Sequence, residues 1–391
     1  MLNTSFAPWP SYTPEEIAAV REVLASGKVN YWTGGKGREF ERRFAAWCGT
    51  SHAVALANGT LALDVALKAC GIGPADEVVV TPRSFMASVS SVVTAGAKPV
   101  FADVDRNSQN LSAETIAAVL SDRTRAVVLV HLAGMPCDMD PIMTLASEHG
   151  FYVIEDCAQA HGATYHGRRV GSIGHIGAWS FCQDKIMTTG GEGGMVTTDD
   201  PALWSAMWSY KDHGKSWEGV YEREHPPGPR LVHDTFGTNW RMMEMQAAIG
   251  LIQLERMETW TARRTTIARR LAEACSRHTL VRVPHVPNDV QHACYRFYAF
   301  IEPKRLAPEW TRDRVIAEIN SRGVPCMHGS APELYLERAF DYTGWRPERR
   351  LPVARELGET GMAFLVHPTI TDEQVERACD VIDEVFKLAS A

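Results

Sequence analysis

A chain of 391 residues, 45% hydrophobic and 22% charged, is long enough for a large buried core and predicts two domains rather than one. A formal net charge of −7 supplies no global basic field, which argues against nucleic acid or anionic lipid as a partner. No apolar run approaches the roughly 20 residues that a membrane helix needs, so no membrane partner is expected. Met1-Leu2-Asn3-Thr4 lacks the charged start and apolar stretch of a secretory signal. The nine cysteines are odd in number, scattered and without paired spacing. Neither a disulfide framework nor a metal cluster is expected, and the reducing cytoplasm is the expected location.

Taken in chain order, the first half alternates short β-rich runs with helical patterns. His52–Ala57 reads as a strand and Leu61–Ala69 as a helix. Glu77–Val80, Pro99–Val104, Ala126–Leu132 and Tyr152–Asp156 read as further strands, with helices over Ala87–Ala95, Ser112–Leu120 and about Pro141–His149 between them. Ser112 with Glu114 close behind suits a capped helix start. Continuous Val/Ile/Leu runs separated by amphipathic helices predict a parallel sheet covered on both faces, an α/β architecture. Gly177–Phe181 and Gly194–Thr198 resemble two more strands separated by a glycine-rich stretch. Met242 to about Ala274 is strongly helical, and the domain boundary is placed inside that helix, near residue 255. Beyond it come a strand at Tyr295–Ile301 and helices at Arg312–Ser321 and Asp372–Leu388.

In a doubly wound sheet, ligands bind beyond the carboxyl ends of the strands. Asp156 closes an otherwise apolar strand. Lys185 follows the strand Gly177–Phe181 and precedes Thr188-Thr189-Gly190-Gly191-Glu192-Gly193-Gly194. A lysine in so tight a setting is a candidate for a desolvated, nucleophilic amine with a lowered pKa. Alone, the aspartate reads equally well as a strand terminator and the lysine as a solvated loop residue. Together they suit pyridoxal phosphate, the lysine forming a Schiff base and the acid keeping the pyridine nitrogen protonated. The cofactor's phosphate needs N–H groups, hydroxyls or a helix N-terminus. Asn58-Gly59-Thr60 supplies these before a helix, and Ser180 is a second hydroxyl. The glycines at 190, 191, 193 and 194 do not lie between a first strand and its helix, so a dinucleotide fingerprint is rejected.

These residues carry a family resemblance. The chain resembles the DegT/StrS family of nucleotide-sugar aminotransferases over nearly its whole length. The matching segments include Gly34–Glu41, Asn58–Leu63, Gly73–Val80, Glu155–Ala163, Ser180–Gly194, Asp212-His213-Gly214 and Gly237–Leu254. The resemblance implies pyridoxal-phosphate-dependent transferase fold type I. That is a large domain, residues 1–255 with an N-terminal arm, built on a mostly parallel seven-stranded sheet between helices, and a smaller α+β C-terminal domain, residues 256–391. It implies pyridoxal 5'-phosphate as cofactor, passing through pyridoxamine 5'-phosphate, with ping-pong kinetics. Lys185 matches the Schiff-base lysine and Asp156 the acid that pairs with the pyridine nitrogen. Gln159 matches a residue near the ring oxygen. Gly59, Thr60 and Ser180 match the phosphate cup, and Phe85 the aromatic that stacks on the ring, although a core position would serve Phe85 equally well. Asn239 matches a residue that reaches the phosphate of a neighbouring subunit, implying a homodimer with shared active sites. Arg241 beside it and His328 are expected to face the substrate. His131 and His161 are as readily structural.

The implied reaction moves an amino group from an amino acid, usually glutamate, to a keto group of a nucleotide-linked deoxysugar. A 4-keto-6-deoxyhexose for lipopolysaccharide, capsule or glycan assembly is the expected acceptor, on family frequency alone. A relative that removes a sugar hydroxyl would replace the lysine, and Lys185 is present. An aminotransferase for a cyclitol or antibiotic precursor, or a cofactor-binding regulatory protein without turnover, is the alternative. The chain departs from the family at Gln183-Asp184, where a proline and a small residue are more usual, at Ile186, where an asparagine often follows the lysine, and at Gly323–Ser330.

Overall fold

Seven strands form the central sheet of the computed structural model, which describes residues 6–391; Met1–Thr4, read above for a signal, lie outside the described residues. The strands are β1 (His52–Leu56), β2 (Glu77–Val80), β3 (Lys98–Phe101), β4 (Thr124–Val130), β5 (Tyr152–Asp156), β6 (Ile176–Ser180) and β7 (Gly194–Thr198), in the spatial order β1-β7-β6-β5-β4-β2-β3. Only β7 is reversed, lying antiparallel to both β1 and β6. The other six therefore end on one side, and Asp156 pairs with Ala178 in register, two residues before Ser180.

Both faces of the sheet are covered, which is why its strands read as unbroken apolar runs rather than alternating ones. Val78, Val80, Val128 and Ile154 pack with Ala62, Val65 and Ala66 of the helix Gly59–Ala69 on one face. Val79, Val127, Leu129 and Val153 pack with Ile142 and Ala146 of the helix Met139–His149 on the other. A helix at Lys36–Cys48 lays Phe40 and Phe44 against Trp179 and Phe181, with ring centres 5.2–5.5 Å apart. Its start is capped from outside: the Glu244 carboxylate accepts from the N–H groups of Lys36 at 2.5 Å and Gly37 at 2.9 Å. A Cβ on Gly34 would stand 2.2 Å from that carboxylate, so a side chain there would have to displace the Glu244 cap.

The long helix Glu244–Ser276 serves two cores. Ala247, Leu251, Leu254 and Met257 pack in the large unit with Phe40 and Phe44. Ile267, Leu271 and Cys275 pack with Phe297, Ile301, Ile319, Phe364, Ile382 and Phe386. The second unit is a four-stranded antiparallel sheet built on Arg296–Ile301 and Gly361–Leu365, backed by the helices Arg312–Ser321 and Asp372–Ala389. Between them the chain returns to the large unit, where Leu334, Tyr335 and Phe340 join the core beside Phe101. The N-terminal arm crosses the other way: Phe6 packs against the second core. All nine cysteines are free thiols. Among the described residues, no helix is long and apolar enough to cross a membrane.

Candidate active site

The carboxyl ends of β1, β5 and β6 frame a cavity of about 480 Å³. The turn after β1 runs directly into the helix Gly59–Ala69, with Asn58 capping it by accepting from the Leu61 N–H at 3.0 Å. First-turn N–H groups have no partner within a helix, so Gly59 and Thr60 present donors and the positive end of the helix dipole. Ser180, at the end of β6, lies against this turn. A Cβ built on Gly59 would come within 2.5 Å of the Ser180 Cβ and 2.9 Å of its Oγ. Only glycine lets two backbones and a hydroxyl converge on so small a volume, and that is the shape a phosphate group requires.

Asp156 lies in the same cavity, with Oδ2 accepting from Ser88 Oγ at 2.7 Å and Oδ1 from the Ala158 N–H at 3.1 Å. Burial raises its pKa, and the opposing pull of Ser88, Ala158, Lys185 and His131 does not cancel that rise. A carboxylate held this way gains by meeting a positive N–H partner. Gln159 accepts from the Ala133 N–H at 2.7 Å, which leaves its amide NH₂ to offer the cavity. Phe85 is 69% exposed and lines the cavity, so the core reading of this aromatic is excluded.

Lys185 enters from the glycine-rich loop. Its carbonyl accepts from Trp9 Nε1 at 2.9 Å, so the N-terminal arm grips the lysine's backbone. Burial pulls the amine's pKa down, but Tyr295, Asp184, Cys182 and Asp156 outweigh it and hold the pKa above the ordinary lysine value. The lowered pKa expected from the glycine-rich setting is thus reversed, because Tyr295 and Asp156 from distant segments join Asp184 and Cys182 of the lysine's own loop around the amine.

Three expected site residues lie elsewhere. Asn239 is exposed and pairs through its backbone with Asp212, outside the cavity of its own chain. Arg241 gives its guanidinium to Asp212 at 2.6 Å, a buried carboxylate that also takes Trp32 Nε1 at 2.7 Å and Lys215 at 3.2 Å. It secures the loop rather than lining the cavity. His328 has an exposed side chain 3.1 Å from Asp313 Oδ1, also away from the cavity. His131 and His161 are both fully buried. His131 Nδ1 accepts from the Cys137 N–H at 3.0 Å, so Nε2 carries the proton that Glu155 takes at 2.9 Å. Glu155 also accepts from the N–H groups of Gly171, Ile173 and Gly174. Together with Cys157 these two residues cluster closely enough to suggest a metal site, but the oxygens of Glu155 and both ring nitrogens of His131 are already committed. His161, between Trp179 and Phe181, is pushed down to about 3 by burial, with Lys185 and Arg264 adding to the fall, and so is neutral.

Sequence reasoning missed Ser88, Trp9 and Tyr295. Ser88 left a trace, a polar residue at the start of the apolar helix Ala87–Thr94. Nothing local marks Trp9 or Tyr295.

A buried carboxylate and a lysine at neighbouring strand ends, beside a glycine-opened helix N-terminus on a sheet of this topology, define a pyridoxal-phosphate-dependent aminotransferase of fold type I. The chain belongs to the DegT/DnrJ/EryC1/StrS aminotransferase family, whose model matches residues 10–383. It is 37% identical over 368 residues to GDP-perosamine synthase of Caulobacter vibrioides, covering 91% of this chain and 92% of that one. The X-ray structure of an aminotransferase from Psychrobacter cryohalolentis superposes with a TM-score of 0.97 at 59% identity, covering 98% of this chain and 99% of the other. The structure of S. venezuelae DesV in complex with a ketimine intermediate gives a TM-score of 0.85 at 32% identity, covering 95% and 94%.

If Gly59 and Ser180 shape a phosphate cup, Gly59→Ala should weaken pyridoxal phosphate binding at least about tenfold, or about 1.4 kcal/mol. The added methyl must push the helix start away from Ser180. Fluorescence titration of the cofactor-free protein reads this directly, and an unchanged affinity would refute the placement.

Proposed function

We propose that this protein transfers an amino group from an amino acid, L-glutamate, to the keto group of a nucleotide-linked deoxysugar, a 4-keto-6-deoxyhexose destined for lipopolysaccharide, capsule or other glycan. The observation that carries the reading is the convergence of Gly59, Thr60, Phe85, Asp156, Gln159, Ser180 and Lys185 on one cavity. The sugar acceptor is supported by the family and by a relative whose name states a GDP-linked product.

Bound in the cavity, pyridoxal phosphate supplies an aldehyde that captures amines and a ring that accepts the electrons of a carbanion. Gly59, Thr60 and Ser180 hold the phosphate through N–H and hydroxyl donors. Asp156, fixed by Ser88 and Ala158, would keep a proton on the ring nitrogen, and Phe85 would offer its aromatic face to the ring. Gln159, its oxygen taken by the Ala133 N–H, would offer its NH₂ to the ring oxygen. Lys185 is the covalent anchor at rest. With its amine free, Lys185 would take the proton from the donor's α-carbon as general base and hold it on Nζ as the ammonium, ready to act as general acid. Arg241 is assigned to holding the Asp212 loop, and His328 to a surface ion pair.

We assign the working unit as a cytoplasmic homodimer with shared active sites. Asn239 cannot serve the cavity of its own chain, and its loop carries Phe236 at 99% and Leu231 at 81% exposure. Two exposed apolar side chains on an otherwise polar loop, beside a residue outside its own cavity, suit contact with a second copy. The domain boundary is assigned to the long helix near residue 255, close to where its side chains change cores.

The deciding experiment runs the reaction backwards. The protein is incubated with 2-oxoglutarate and a panel of nucleotide-linked amino sugars while the cofactor's visible absorbance is followed. Loss of the resting absorbance to a 4-amino-6-deoxy sugar, restored by 2-oxoglutarate, is the expected result. A spectrum that responds to no amino sugar and no amino acid would overturn the transferase reading.

A further inference from the structure

Asp184 is the residue at which the chain departs from its family immediately before the lysine, and the structure occupies both of its carboxylate oxygens. Oδ1 lies 3.5 Å from Lys185 Nζ, and Oδ2 accepts from the Tyr295 hydroxyl. The same lysine amine stands 5.3 Å from the centre of the Tyr295 ring. Arg296 Cζ lies 4.9 Å from the centre of that ring as well. Tyr295 is held from behind, since its N–H donates to the Ala133 carbonyl at 2.8 Å. The N–H of Ala133 in turn donates to Gln159. The carboxylate and the ring that meet the amine are therefore built on the same framework that orients the cavity wall.

We propose that Asp184 and Tyr295 are positioning residues that form the resting place of the Lys185 ammonium whenever it is released from its covalent anchor. The proposal rests on the reading of Lys185 as the reacting lysine. A freed lysine has a long flexible stem and would otherwise sweep a large volume. An ion pair on one side and an aromatic face on the other narrow that volume to one region of the cavity. At 3.5 Å the pairing is looser than a short charge-assisted bond, so it orients the amine without locking the proton onto it. When Lys185 takes a proton from the donor's α-carbon, the lone pair of Nζ forms the new N–H bond and the C–H electrons stay with the donor. The ammonium so formed is the state that Asp184 and Tyr295 stabilise.

The charges around the amine bear this out from every side. Asp184, Tyr295, Cys182 and Asp156 favour the ammonium. His161, the nearest basic ring behind the cavity, is neutral. Against the upward push of burial, Lys185 itself, the Tyr295 hydroxyl and then Arg296 hold the Asp184 carboxyl below the usual carboxylate range, ionised beside the lysine.

The test is the pH dependence of Lys185 acylation by acetic anhydride in the cofactor-free full chain, read peptide by peptide by mass spectrometry. Only the neutral amine reacts, so the midpoint reports its protonation. Tyr295 and Asp184 both lift the pKa; Tyr295→Phe and Asp184→Asn should therefore each move the midpoint down, by about one pH unit for Asp184→Asn. In the loaded enzyme, the donor half-reaction of Asp184→Asn should lose about tenfold in kcat with the donor's KM unchanged. A midpoint identical to that of the parent chain, in a variant with the parent's thermal melting, overturns the proposal. Should Asp184→Asn fail to fold, Tyr295→Leu removes the ring and is judged by the same midpoint. Borohydride fixation of the cofactor on a peptide without Lys185 would instead overturn the underlying reading and the proposal with it, and that result is read on a separate peptide.

Discussion

Lys185→Ala is expected to lower transamination by on the order of 10⁴-fold or more, because one side chain serves as anchor, base and acid. No neighbour can substitute. His161 is neutral but fully buried and off the cavity, and Asp184 is a carboxylate that still accepts from the Tyr295 hydroxyl, a far weaker base than an amine. The loss should appear in both half-reactions, measured by mixing the loaded protein with glutamate, and the aminated form with a keto sugar, under single-turnover conditions. Cofactor should still bind, since the phosphate cup is untouched. Removing the ammonium also withdraws a charge that lowers the pKa of Asp156, which should rise further above its ordinary range. Substantial turnover in either half-reaction would refute the role given to Lys185.

Asp156→Asn separates charge from shape. Asparagine keeps an oxygen for the Ala158 N–H and a partner for Ser88, so the cavity wall should survive. What disappears is the negative charge that would hold a proton on the ring nitrogen. The expected outcome is a loss on the order of 10²- to 10³-fold in the donor half-reaction, followed by stopped-flow absorbance, with pyridoxal phosphate still bound. The ring would then be a poor electron sink although correctly docked. If the variant retained the parent's rate, Asp156 would be a strand terminator and nothing more.

Much of the scaffold was legible from the residues. Glu77–Val80, Tyr152–Asp156, Gly194–Thr198 and the helix Arg312–Ser321 have the bounds that their apolar runs and flanking polar residues predict. Ser112 caps its helix by accepting from Thr115 N–H, as its position suggested, although that helix is shorter than expected. The helices Pro14–Ser26 and Lys36–Cys48 were not anticipated, even though Phe40, Phe44 and Cys48 repeat at the four-residue spacing of a buried face. Leu334, Tyr335 and Phe340 were counted with the C-terminal unit because they follow it in sequence, yet they pack under Phe101.

The chain by itself determined the cofactor chemistry. Strand periodicity sets where each strand ends, and Asp156, Ser180 and the Asn58-Gly59-Thr60 turn are local features of those ends. Spacing was therefore enough to single them out as candidates, and the resemblance to the DegT/StrS family supplied the role expected of each. The tertiary structure alone decided which charges meet. Tyr295 reaches Asp184 across 111 positions, and together they reverse the direction in which Lys185 titrates. Arg241 and His328 were drawn off by Asp212 and Asp313, carboxylates whose proximity no spacing rule supplies. A pKa is set by burial and by every charge within several ångströms, whatever its distance along the chain. That sum exists only once the strands, the long helix and the N-terminal arm have folded around the cavity.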